Sequence, residues 1–276
     1  MSVLEPITQG QVLSNEDLRK IFKVSPQGGM RRSLETNTLV IVSNHVESIY
    51  DDRWIGEEFH YTGMGQRGDQ TVENAQNKTL AESDSNGVEI HLFEVDQPQK
   101  YVYQGRVKLA HAPYFETQPD ADGVDRKVVV FPLKLVNAAK PVSMPIEEFR
   151  TSTKVRERKA SRLSREQLEE KVSRARSTPG ERTVTSKQYE RDPYVSQLTK
   201  LRANGRCDLC EQQAPFLDKN SNPYLETHHI DWLSKGGKDT LDNTVALCPN
   251  CHRKMHTLDL EKDREKLMHK LRVHGL

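Results

Sequence analysis

The chain has 276 residues, of which 34% are hydrophobic and 29% charged, with a formal net charge of +1. That length has room for two compact domains and a linker, and so polar a composition predicts modest cores and a sizeable flexible portion. No run approaches the roughly 18 apolar residues of a membrane span. The start, MSVLEPITQGQ, lacks the basic-then-apolar order of a secretory signal, so a cytoplasmic protein without a membrane partner is expected.

In chain order, residues 1–137 predict a β-rich domain. Thr38–Ser43, Val88–Val95, Tyr101–Ala110 and Lys127–Leu135 are rich in Val, Ile, Tyr and Phe. Turn-forming stretches such as Ser83–Gly87 and Pro119–Gly123 separate them. Residues 138–190 read as a basic linker. Over 150–191 thirteen Lys or Arg face six acids, which suits a polyanion as well as a solvated helix. Ser164 and Gln167 make a capping box, so one helix is predicted from about Arg165 to Arg176, closed by Pro179-Gly180. Residues 191–276 form a third region ending in an amphipathic stretch, Leu258–Val273. The fold class expected is α+β.

All four cysteines fall in the last region, as Cys207-x-x-Cys210 and Cys248-x-x-Cys251. Two such knuckles can close one tetrahedral four-thiolate zinc site. In a region too short for a large core, the metal contributes much of the folding energy. A second constellation lies between and after them: Glu226-Thr227-His228-His229-Ile230, Asp242-Asn243, and His252 with His256. A spacing of four puts His252 and His256 on one helix face. A histidine can take a proton from water at neutral pH, and a divalent ion such as Mg2+ or Mn2+ can stabilise charge on a phosphate and its leaving oxygen. Asn243 could hold the imidazole in one tautomer. Spacing does not decide which of His228 and His229 binds metal.

The stretch from Leu201 through His256 resembles the HNH endonucleases of the ββα-metal fold, and more narrowly the nuclease domain of McrA-type modification-dependent restriction enzymes. The resemblance covers about 191–257. It implies that His228, His252 and His256 hold the catalytic ion, that His229 is the general base, and that Asn243 orients it.

The segment 50–69 packs aromatics, carboxylates and four glycines into what reads as a loop. An aromatic face can stack on an extruded base, and a carboxylate can accept from the cytosine amino group. The pattern YDD…G…F-x-YTG-x-G, followed by Asn77-Lys78-Thr79-Leu80-Ala81, resembles the SRA (SET and RING associated) domain. That resemblance implies a twisted β-barrel of the PUA-like type that flips 5-methylcytosine or 5-hydroxymethylcytosine out of the duplex. By position Tyr50 and Tyr61 resemble the aromatics that sandwich the base, and Thr62 a residue at its Watson–Crick edge. The chain is one residue shorter between Tyr50 and Gly56 than the animal pattern, so either Asp51 or Asp52 takes the acidic role; Asp52 is preferred. The loop after Gly65 lacks the animal Asn-Lys-Arg finger.

The function expected is that of a modification-dependent, type IV-like restriction endonuclease. Its substrate would be double-stranded DNA containing modified cytosine, and its metals one structural zinc and one catalytic divalent ion. One HNH site cuts one strand, so a homodimer is one route to a double-strand break. The competing readings are an HNH nuclease without modification dependence, homing or structure-specific, and a modified-DNA binder with a decayed nuclease.

Overall fold

The computed structural model describes residues 6–46, 50–173 and 179–275. It divides into two compact units, Met1–Ser186 and Lys187–Leu276.

The first unit contains, in order, β1 (Val12–Leu13), α1 (Asn15–Phe22), β2 (Met30–Ser33), β3 (Thr38–Asn44), β4 (Arg53–Ile55), β5 (Glu58–Thr62), α2 (Ala75–Ala81), α3 (Ser83–Asn86), β6 (Glu89–Gln97), β7 (Lys100–Leu109), β8 (Tyr114–Pro119) and β9 (Asp125–Leu135). The nine strands form one sheet, ordered β2-β3-β6-β7-β9-β5-β4, with β1 on β7 and β8 on β9. Every pairing is antiparallel except β3 with β6. The path ends at β2 and β4; among the described residues no pairing joins them into a closed barrel.

Strand β3 explains why its sequence reads as an unbroken apolar run. Leu39 and Ile41 enter one core with Phe59, Leu92, Phe131 and Leu133. Val40 and Val42 enter another with Leu18 and Phe22 of α1, Phe93 and Tyr103. Alternate side chains point to opposite faces, and here both faces are covered. The capping box of Ser14 and Asp17 starts α1, and its last turn delivers Phe22 to that second core.

Within the segment read as a loop from its glycines, residues 53–62 are a hairpin. Strands β4 and β5 form a hairpin in register Arg53↔His60, Trp54↔Phe59, Ile55↔Glu58. Gly56 supplies the positive φ, 59°, at its tip. Burial of Trp54, Phe59 and Tyr61 outweighs the local glycine signal. The expected turn at Ser83–Gly87 is one helical turn, α3, closed by Gly87 in the left-handed region.

After β9 the chain makes β10 (Met144–Pro145), α4 (Ile146–Ala160), α5 (Arg165–Ser173) and β11 (Val184–Thr185). Neither α4 nor α5 has a buried residue. The capping box at the start of α5 is present, with Ser164 N donating to Gln167 Oε1 and Gln167 N to Ser164 Oγ. The expected helix end, Arg176, lies outside the described residues. Beyond it the chain stays with the first unit: β11 pairs with β10, Glu181 bridges to Trp54, and Arg182 Nη1 donates to Glu94 Oε1 at 2.7 Å.

The second unit contains α6 (Pro193–Ala203), β12 (Glu226–His229), β13 (Thr244–Leu247), α7 (Pro249–Leu258) and α8 (Glu261–Val273). The stretch expected as one terminal helix from Leu258 breaks at Asp259, which sits at φ 43° and caps α7. Strands β12 and β13 are antiparallel, His228 opposite Val245 and His229 opposite Thr244. The core is small: Leu209, Leu225, Ile230, Val245, Leu247, Met255, Leu267 and Leu271 gather around the four cysteines.

Candidate functional site

The cysteines meet as their spacing predicts. One sulfur from each of Cys207, Cys210, Cys248 and Cys251 lies within 4.8 Å of all the others. Cys210 and Cys248 sulfurs are 3.9 Å apart. Tetrahedral zinc with bonds of about 2.3 Å puts its sulfurs roughly 3.8 Å apart, so the cluster fits the ion. Cys248 also caps α7, its Sγ accepting from Cys251 N. The knuckle therefore sets where α7 begins and so where His252 stands.

From there the helix carries His252 and His256, four apart, toward His228 on β12. Ligand atoms of these three lie within 4.8 Å of one another, and the Nε2 atoms of His252 and His256 are 3.0 Å apart. His228 is 2% exposed, and its Nε2 makes no hydrogen bond among the described residues. Burial, followed by the neighbouring His252 and His256, pushes its pKa down to about 3. His228 is thus neutral at working pH with a spare nitrogen, as metal ligation requires.

Strand alternation places Glu226 on the same face of β12 as His228. Its carboxylate hydrogen-bonds His252 Nδ1 and accepts from Tyr224 OH at 3.1 Å. The His252 bond holds the Glu226 carboxyl below its usual range. A ring fixed by a carboxylate at one nitrogen presents the other.

His229 follows His228 on β12 and lines the same cleft. It is 6% exposed, and its Nε2 meets Asp239 Oδ1 at 2.7 Å. Asn243, expected to orient this imidazole, makes its side-chain bonds elsewhere. Its Oδ1 accepts from Asp231 N, and its Nδ2 donates to Asp231 O and Lys238 O. It braces the loop 231–238; a short amide finds two backbone partners there before it reaches the ring. Sequence reasoning missed Asp239 as a site residue, although it stands only four residues before Asn243.

The histidines line a cleft of about 130 Å³, completed by Tyr189, Arg191, Thr227 and Trp232. A larger groove of about 850 Å³ in the same unit borders α8. Its charged side chains are of both signs and it contains none of the histidines, so the chemistry belongs to the smaller cleft.

In the first unit, the hairpin β4–β5 brings the other expected residues together. Asp52 Oδ1 accepts from Thr62 N at 2.8 Å, and Thr62 Oγ1 accepts from Gln118 Nε2 at 3.3 Å. Burial pushes Asp52 up to about 6, against the Thr62 amide and the Ser43 hydroxyl, which hold it down. The Asp51 carboxylate instead pairs with Arg53 at 3.4 Å. Tyr50 is half-buried, its hydroxyl donating to Gly65 O at 2.9 Å. Beside it Arg126, 5% exposed, donates to Gly68 O, while its Nε and Nη2 make no hydrogen bond among the described residues. Tyr61 is 3% exposed and packs in the core against Phe59; a Cβ at Gly29 would fall 2.8 Å from its hydroxyl. Gln118 and Arg126, opposite each other on β8 and β9, escape sequence reading because nothing in their neighbourhood links them to residue 50.

The chain thus has two parts, a β-sheet module followed by a hairpin-helix histidine site. The family described as "ScoMcrA-like, SRA domain" matches residues 9–155, more than half of the chain, and the family described as "HNH endonuclease" matches 207–258. The chain therefore belongs to the ScoMcrA-like SRA family and carries an HNH endonuclease domain. Among curated proteins it is similar to the type IV methyl-directed restriction enzyme EcoKMcrA of Escherichia coli (strain K12), 53% identical over 70 residues, a quarter of each chain. Among solved structures it is similar to the type IV phosphorothioation-dependent restriction endonuclease ScoMcrA, at 19% identity and TM-score 0.41 over 98% of this chain and 64% of that one. The modification-dependent TagI restriction endonuclease gives 20% identity and TM-score 0.39 over 92% and 79%. The match thus spans a quarter of the curated relative's length and just under two thirds of the ScoMcrA chain. No described helix is long and apolar enough to cross a membrane.

Proposed function

We propose that the chain is a modification-dependent DNA endonuclease acting on double-stranded DNA in the cytoplasm. Residues 1–137 form the recognition module, 138–190 a basic connector that follows phosphates, and 191–276 the nuclease. The observation that carries the cutting activity is the convergence of His228, His252 and His256 with His229 beside them. His228, His252 and His256 hold a divalent ion, which stabilises charge on the scissile phosphate and leaving oxygen when bound. His229 takes the proton of the attacking water. Cys207, Cys210, Cys248 and Cys251 hold a structural zinc that keeps α7 in place.

For recognition, Asp52 and Thr62 form one polar floor, with Tyr50 beside it, and the sheet curls as the barrel of this domain type. A flipped modified cytosine would stack on Tyr50 and donate a hydrogen bond from its amino group to Asp52. Asp52 is favoured over Asp51 because its carboxylate reaches Thr62 while that of Asp51 is turned to Arg53. One observation favours a second reading, an HNH nuclease without modification dependence: the ring of Tyr61, the expected second face of the base sandwich, is packed in the core.

One plasmid, prepared unmethylated, with 5-methylcytosine and with 5-hydroxymethylcytosine, and digested with and without Mg2+ or Mn2+, separates these. Cleavage confined to a modified arm supports the first reading. Equal cleavage of all three establishes the second. No cleavage in any arm leaves a DNA-binding protein.

A further inference from the structure

We propose that Asp239 is the positioning residue of the general base: it holds His229 as the Nε2–H tautomer, so that Nδ1 carries the lone pair that accepts the water's proton. The inference rests on the nuclease reading above and names a residue that the HNH motif histidines and Asn243 do not include.

The argument begins with what each atom can do. An ionised carboxylate only accepts hydrogen bonds. With Asp239 Oδ1 at 2.7 Å from His229 Nε2, the proton of that contact belongs to the ring. A neutral imidazole carries one proton, so Nδ1 is left basic. Asp239 stays ionised: burial works against the charge, but the Asp192 amide, the His229 ring and the Arg191 guanidinium overcome it and hold the carboxyl below its usual range. The carboxylate is itself anchored, accepting from Asp192 N at 2.6 Å, where Asp192 caps α6 through Tyr194 N. The loop that carries Asp239 is in turn braced by Asn243 at Asp231 and Lys238. Asn243 thus acts on the base through Asp239, which resolves why its amide does not touch the ring. As proton transfer proceeds, the ring becomes an imidazolium, and the carboxylate at Nε2 stabilises that charge. No atom beyond the water and the ring changes protonation. A base oriented by a third group is the arrangement that activated nucleophiles generally use.

The test has two parts. Long-range 15N–1H NMR on the zinc-loaded full chain, prepared without catalytic metal, reads the tautomer of His229. The native chain should show protonated Nε2 and bare Nδ1, and Asp239→Ala should lose that pattern. Cleavage kinetics of Asp239→Asn should then show kcat down on the order of 10²-fold with KM and DNA affinity within about twofold. Asp239→Glu should recover part of it, and Asp239→Asn should add little to His229→Ala. A native His229 protonated at Nδ1, or an Asp239→Asn chain that keeps the native tautomer and rate, overturns the proposal. Equal kcat losses for Asn and Glu together with a lost zinc would show a structural role and overturn it too. Should the native chain cut no DNA at all, the nuclease reading fails, and the NMR result still decides what Asp239 does to His229.

Discussion

The two units encode their candidate sites in different ways. In the C-terminal unit the cysteine cluster and the four histidines lie within 207–256, and short spacings place them: two CxxC knuckles, a paired histidine on one strand, and histidines four apart on a helix. In the N-terminal unit the candidate pocket residues come from the stretch just before β4 and from β5, β8 and β9, which the sheet order brings together. A metal can organise ligands from a short chain because its binding energy is large. A pocket for a base needs a preformed floor, and that floor is a product of a buried sheet.

The contrast predicts that damage spreads furthest where the metal holds the fold. Cys207→Ala or Cys251→Ala should remove the bound zinc and unfold the C-terminal unit, because structural zinc contributes roughly 10–16 kcal/mol. The melting transition of the N-terminal unit should persist. Zinc content with a two-transition thermal scan checks this; a cysteine variant with native zinc and full cleavage would break the comparison.

Next in size is the chemistry. His229→Ala should lower kcat by about 10²–10⁴-fold with DNA affinity intact. Gel-shift and single-turnover cleavage with the same duplex measure both, and a variant that keeps most of its rate at saturating metal removes His229 from the base role.

In the N-terminal unit the sharpest lever is pH. Burial raises Asp52 from 3.8 to about 6 in the folded chain. A folded pKa above the unfolded one means that the contribution to stability is complete below the unfolded pKa and is lost as pH rises through the folded one. Between about pH 4 and pH 6 the unit should therefore lose about 2 kcal/mol of the roughly 3 kcal/mol that the whole shift represents, and Asp52→Asn should flatten that difference. Affinity for modified DNA should move the opposite way, falling below about pH 6 as the accepting carboxylate is protonated. Urea midpoints and binding across this range test both signs.

The last pair of variants separates the tyrosines, and the smallest effect falls on Tyr50. Tyr50→Ala should weaken binding to modified DNA by about tenfold or more, since base stacking is worth roughly 1–3 kcal/mol, and leave binding to unmodified DNA nearly unchanged. Tyr61→Ala should instead cost stability on the order of 3–5 kcal/mol, as core aromatics do. If both variants lose modified-DNA affinity alone, with native melting, Tyr61 leaves the core to stack and the contrast between them disappears.

The sequence alone determined the features that depend on near neighbours. The cysteine knuckles, the His252–His256 face and the Ser164–Gln167 cap follow from fixed local geometry, and the long β-strands from apolar runs. Only the tertiary structure decided the rest. It turned residues 53–62 from an apparent loop into a hairpin, because burying Trp54, Phe59 and Tyr61 outweighs the signal of Gly56. It separated Asp52 from Asp51 by burying one carboxylate and pairing the other with Arg53. It set Asp239, and not Asn243, against the ring of His229, because a loop's path through space is fixed by what it packs on and not by its own spacing.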